Sequence, residues 1–160
     1  MQLGSMTITQ KKLLVDGRRY LQVAALVYRI SHGTPEYLII TSRGTRRWII
    51  PKGWPIPKKT LSQAALKEAN EEAGVRGVVL KTEIGTYNYE KTDTSSGEKC
   101  FFKVNVFAVY FSHQEKKWLE HNQRVFEWVS PRRAAERVDE PELKEILLTF
   151  AKSLPITPKS

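Results

Sequence analysis

Glu68, Glu71 and Glu72 are spaced i, i+3 and i+4, which stacks three carboxylates on adjacent turns of any helix that contains them. Like charges at this spacing oppose the helix by roughly 0.2–0.5 kcal/mol per pair. Their position in its second half adds to the cost, because the C-terminal end of a helix dipole disfavours anions. A hard divalent cation would offset both effects. Magnesium takes oxygen ligands, keeps several waters and bridges carboxylates to phosphates. Taken alone, Glu-x-x-Glu-Glu also describes a solvated acidic helix face, so the reading depends on the surrounding residues.

The helix itself is well punctuated. Thr60 and Gln63 have the Thr-x-x-Gln spacing of a capping box, and Gly74 supplies a stop, which predicts a helix over Thr60–Ala73. At about 100° per residue, Ser62, Leu66, Ala69 and Ala73 fall on one narrow side suited to a sheet, with the three glutamates opposite. Strands are expected at Tyr20–Ile30, at Glu36–Thr41 after the turn residues Ser31–Pro35, and at Arg47–Pro51. Val75–Tyr89 reads as strand after Gly77. Thr92–Gly97 reads as a loop, Cys100–Phe111 as a strand of strong β propensity, and Arg124–Val129 as a last short strand. Pro131–Arg137 and Pro141–Lys152 read as helices with proline in the first turn. This order predicts an α/β/α sandwich around a mixed β-sheet.

The 160 residues suit one domain, expected over 17–154. Residues 1–16 are expected to be a tail, partly left by cloning around Gly4-Ser5-Met6, and residues 155–160 a frayed end. Cys100 is the lone cysteine, so no internal disulfide forms. No apolar run approaches the roughly 18 residues of a membrane span, and the first ten residues lack the pattern of a secretory signal. A cytoplasmic protein without membrane contact is expected. The net charge of +9, from 26 Lys and Arg against 17 Asp and Glu, favours an anionic partner. Arg43, Arg46, Arg47, Lys52, Lys58 and Lys59 are placed to rim the acidic helix. No helix-turn-helix, zinc spacing or RNA-binding motif accompanies the charge, so nucleic acid is not the expected partner. His32 and His113 lack neighbours at metal-ligand spacing.

The segment Gly53–Val75, ending Lys67-Glu68-Ala69-Asn70-Glu71-Glu72-Ala73-Gly74-Val75, resembles the Nudix box in spacing throughout. Two positions depart from it: Lys59 stands where glutamate is usual, and Lys67 where arginine is usual. The orienting ion pair those two residues make in the family therefore cannot form. The resemblance implies the Nudix fold and hydrolysis of a phosphoanhydride bond with magnesium, manganese being a substitute. It implies Glu68 and Glu72 as metal ligands, Glu71 as a further ligand or the base, and the backbone carbonyl of Lys52 or Gly53 in the metal shell. Glu71 and Glu72 are the candidate catalytic residues, and which of them acts as base is open because adjacent carboxylates titrate together. Glu120 is a weaker alternative base.

Thr41–Gly53, Ala24-Ala25 and Arg124–Trp128 are similar to the diphosphoinositol polyphosphate and diadenosine polyphosphate phosphohydrolases, and Pro51-Lys52-Gly53-Trp54-Pro55 to bacterial members of that group. By this resemblance Arg43, Arg47, Lys52 and Arg124 bind substrate phosphate. Leu21 and Val23 stand where the group carries basic residues, which leaves a diadenosine polyphosphate as plausible as a diphosphoinositol polyphosphate. The alternatives are a pyrophosphatase of nucleotide sugars or damaged nucleotides, and a catalytically weak phosphate-binding module. Trp48, Tyr87, Tyr89, Phe101 and Phe102 either fill the core or stack a base. Trp118 is expected to be partly exposed.

Overall fold

The structure, a computed structural model, describes residues 14–15 and 18–155. The expected tails fall almost wholly outside these residues. In chain order the elements are β1 (Arg19–Ser31), β2 (Thr34–Thr41), β3 (Trp48–Ile49), β4 (Lys52–Gly53), α1 (Leu61–Ala73), β5 (Val75–Val79), β6 (Gly85–Thr92), β7 (Lys99–Gln114), β8 (Phe126–Val129), α2 (Pro131–Arg137) and α3 (Pro141–Ser153).

β1 is the organising strand. It runs parallel to β7 along one edge, with Tyr20 opposite Phe102 and Val27 opposite Val109. Its other edge is shared between two partners. Val23 and Ala24 pair with β4, and Tyr28 to Ser31 pair with β2. The β1–β2 turn is tighter than the Ser31–Pro35 signal suggests. It is a two-residue loop with His32 at φ 52° and Gly33 at φ 80°, the left-handed geometry that matches strand twist in short hairpins. β8 pairs with β2, and β5 and β6 both pair with β7, giving one mixed eight-stranded sheet.

Alternation along β1 divides the core. Ala24 and Leu26 face one side, with Tyr37, Ile39, Val104 and Val106, where α2 and α3 add Ala134, Leu143 and Leu147. Val23, Ala25 and Val27 face the other, with Leu38, Ile40, Phe107 and Val109, where α1 adds Ala65, Ala69 and Ala73. The fold is the expected α/β/α sandwich. Among the described residues no helix is long and apolar enough to cross a membrane.

Two details differ from the sequence reading. The expected continuous strand Val75–Tyr89 is interrupted at residues 80–84. β5 and β6 align with successive stretches of β7, and Leu80 and Ile84 still donate to Ala108 and Val106 at 2.9 and 2.8 Å across the break. The expected Arg47–Pro51 strand is reduced to β3, and the two-residue β4 lies just beyond it, where no strand is expected. Its pairing with β1 is a tertiary contact that local propensity does not report.

Candidate active site

Helix α1 is fixed at both ends. The Thr60 hydroxyl accepts from the Gln63 N–H at 3.1 Å, and the Gln63 side chain accepts from the Thr60 N–H at 2.9 Å. At the other end Gly74 has φ 71°, and a Cβ there would lie 2.3 Å from the Trp118 ring. Glycine is required twice at this position, for the left-handed backbone and for the close approach. Trp118 thereby clamps residues 115–125 onto the end of α1. Glu115 N–H donates to the Gly74 carbonyl at 2.8 Å, Glu120 N–H to that of Glu71 at 2.9 Å, and the Gln114 side chain to that of Ala73 at 2.8 Å. Trp118 is half-buried, in line with expectation.

The helical wheel needs correction. Buried α1 residues include Glu68 and Glu72 together with Ser62, Ala64, Ala65, Ala69 and Ala73, so these two glutamates lie inside the covered arc. β4 and the 115–125 loop enclose a flank that a sheet alone would leave in water. Glu68 and Glu72 are only 8% and 6% exposed. Burial pushes the Glu68 carboxyl above its ordinary range, opposed by a hydrogen bond with Glu72 and by nearby Lys67. Glu72 is held well above that range, first by burial, then by the hydrogen bond and charge of Glu68, against the pull of Arg124. Burial and mutual repulsion both favour a shared proton on such a pair, and a bound cation would compete with that proton.

Glu71 sits at the outer edge, ion-paired with Lys67 one turn back. The lysine at the usual arginine position thus engages a glutamate of the box itself. Among the described residues no three His, Cys, Asp or Glu side chains form a metal-holding group by themselves. The donors that are present are all oxygens, which suits a hard dication. The backbone at Gly53 closes over this pair, since a Cβ there would lie 2.3 Å from the Glu68 carboxyl carbon. Lys52 N–H donates to Glu72 Oε1 at 3.4 Å.

Glu68, Glu71, Glu72, Lys52, Gly53, Arg43 and Arg124 all line one cavity of about 410 Å³. Arg124 is nearly buried and ties the acids together. Its Nε donates to Glu120 Oε1 at 2.9 Å, its NH2 lies 3.8 Å from Glu72 Oε2, and its NH1 donates to the Thr41 carbonyl at 3.1 Å. Arg43 Nε is 3.9 Å from Glu120 Oε1. Burial lowers the pKa of the Lys52 amine, opposed mainly by Glu72. Glu120, from the distant loop, lines the cavity as well.

Arg47 is placed differently from its expected phosphate-binding role. Its NH1 is 2.9 Å from Glu140 Oε2 and 3.7 Å from Asp139 Oδ2, and it is not among the cavity-lining residues. The expected basic rim is therefore narrower. Lys58 and Lys59 are exposed, and Lys59 lines a separate groove with Lys67. Gln22, Ser42, Trp54 and Lys91 line the main cavity and were not singled out from the sequence as site residues. For Gln22 a signal existed, a lone amide in an apolar strand. Lys91 carried none, because strand pairing brings it there.

Residues 20–150 match the model of the NUDIX domain. The chain is similar to Nudix hydrolase 16, mitochondrial, of Arabidopsis thaliana, at 31% identity over 71% of this chain and 63% of that protein. It is also similar to Nudix hydrolase 21, chloroplastic, of the same plant, at 32% identity over 82% and 66%. The chain thus spans less than two thirds of the length of these relatives. Among solved structures, a C. elegans Ap4A hydrolase superposes with a TM-score of 0.58 at 22% identity, covering 83% of this chain and 96% of that one.

Proposed function

The chain belongs to the Nudix family, and from that premise we propose that it is a magnesium-dependent hydrolase of phosphoanhydride bonds in a polyphosphorylated small molecule. The observation that carries this reading is the buried Glu68–Glu72 pair in a cavity that also presents Arg43, Lys52 and Arg124. Acids alone would repel such a substrate, and bases alone would bind it without reaction. Both kinds of group on one wall suit a dication and a phosphate chain together.

Glu68 and Glu72 would hold the metal, with Glu71, Glu120 and a backbone carbonyl of Lys52 or Gly53 as further candidate ligands. When bound, magnesium supplies charge neutralisation of the phosphoryl oxygens and acidification of the attacking water. The residues of this chain do the rest. Arg124 and Arg43 bind phosphoryl oxygens, and Arg124 also holds Glu120 in the cavity. Glu71, Glu72 or Glu120 accepts the proton of the water, since all three line the cavity. Nothing in this scheme requires a covalent intermediate.

A magnesium-supplemented panel of dinucleotide polyphosphates, inositol pyrophosphates and nucleotide sugars, with product identification, tests the proposal. At least one compound should be cleaved at a phosphoanhydride bond, with turnover lost on chelation. Failure to cleave any of them, in a protein that still binds them with magnesium, would favour the phosphate-binding module instead.

A further inference from the structure

The cations of the cavity fall into two groups. Arg43 and Arg124 face Glu120 on the loop side, and each has a carboxylate within ion-pair distance. Lys52 and Lys91, on β4 and β6, have no carboxylate at that distance among the described residues. They share their wall with Gln22 of β1. Gln22 lies opposite Val104 on β7, and Tyr89 of β6 lies opposite Phe102 on the other edge of β7. Tyr89 therefore reaches across one strand, and its hydroxyl donates to Gln22 Oε1 at 2.6 Å. Its ring lies 5.1 Å from the Lys52 ammonium. Lys91 follows Tyr89 by two residues, on the same face of the sheet.

Gln22 is only 7% exposed, and the hydrogen bond from Tyr89 is its one side-chain bond among the described residues. With its carbonyl fixed, the amide presents its NH2 as an oriented donor in a cavity wall. The amide nitrogen has no hydrogen bond among the described residues and is not fully buried, so it opens onto the cavity. Two ammonium groups without a paired carboxylate beside it define the acceptor as an anion. Resting on the reading of this cavity as a polyphosphate site, we propose that Gln22, Lys52 and Lys91 form a second anion subsite. It would grip a phosphoryl group other than the one attacked beside Glu68 and Glu72. Gln22 touches the substrate, and Tyr89 is a positioning residue that acts through it. Because cations stand on both flanks of the carboxylates, the preferred substrate is a chain of about three or more phosphoryl groups, long enough to be held at both ends.

Calorimetric titration with inorganic tripolyphosphate and with pyrophosphate, in magnesium-free and magnesium-containing buffer, tests this. Lys91→Ala alters an exposed side chain, and Tyr89→Phe keeps the ring packing, so both should fold. Gln22→Glu reverses the donor. We expect Gln22→Glu and Lys91→Ala each to weaken tripolyphosphate binding about tenfold, and Tyr89→Phe about threefold. Adding Tyr89→Phe to Gln22→Glu should give little further loss. The preference of the parent for tripolyphosphate over pyrophosphate should shrink in each variant. Unchanged tripolyphosphate affinity in both Lys91→Ala and Tyr89→Phe overturns the subsite, as does a parent that binds no tripolyphosphate in either buffer. Loss of binding in the variants of a protein that cleaves nothing would reject the hydrolase reading and leave the subsite standing. Normal turnover with indifferent variants would do the reverse.

Discussion

At the scale of single residues, the Glu68–Glu72 pair sets stability against function. Two buried carboxyls in contact weaken the metal-free fold, and neutralising one relieves it. Glu72→Gln keeps an acceptor for the Lys52 N–H, so the site retains its shape. Turnover should fall by about 10²–10⁴-fold, while the melting temperature in chelator should rise by about 2–4 °C. Equal turnover would remove Glu72 from the chemistry, and a lower melting temperature would contradict the strain assigned to the pair. Gly53 gives an independent probe of the same site. A methyl group there meets the Glu68 carboxyl at 2.3 Å, so Gly53→Ala must displace it. Turnover should drop at least about tenfold, and the stabilisation of the protein by magnesium should largely disappear. A variant that keeps both would show that Glu68 is not needed where it stands.

At the scale of elements, the 115–125 loop is as much a part of the site as α1. Trp118 over Gly74 and the Glu120 bond to the Glu71 carbonyl hold the loop down, which fixes where Glu120 and Arg124 point. Trp118→Ala should lower kcat about tenfold through misplacement of those two groups, and Trp118→Phe should restore most of it. Assays well below the melting temperature of each variant separate this from unfolding, and a kcat indifferent to Trp118→Ala would end the argument. Much of this level could be read from the chain. Thr60, Gln63 and Gly74 announce α1 because capping is local chemistry, and the strands β1, β2 and β7 follow from composition. The burial of Glu68 and Glu72 could not be read in the same way. A helical wheel reports spacing, whereas burial is decided by β4 and by a loop that returns some forty residues later. Arg47 shows the same limit, since its partner Glu140 lies in the second half of the chain. Lys91 and Gln22 meet only through the register of β1 and β6 on β7.

For the whole molecule, the surplus of positive charge bears on how substrate arrives. With a net charge of +9, a polyanion is drawn in over distances that salt shortens. KM should therefore rise several-fold between about 50 and 300 mM salt, with kcat nearly constant. A KM indifferent to salt would assign the charge to solubility alone. The sheet order carries a further consequence for synthesis. β8 docks on β2, and Arg124, the counter-cation of Glu72, enters just ahead of β8. A ribosome-bound chain halted before that arginine already carries Glu68, Glu72, Arg43, Lys52 and Lys91, but lacks the cation that bridges Glu72 and Glu120. The cavity is therefore electrostatically unbalanced at its carboxylates until the last strand has been translated.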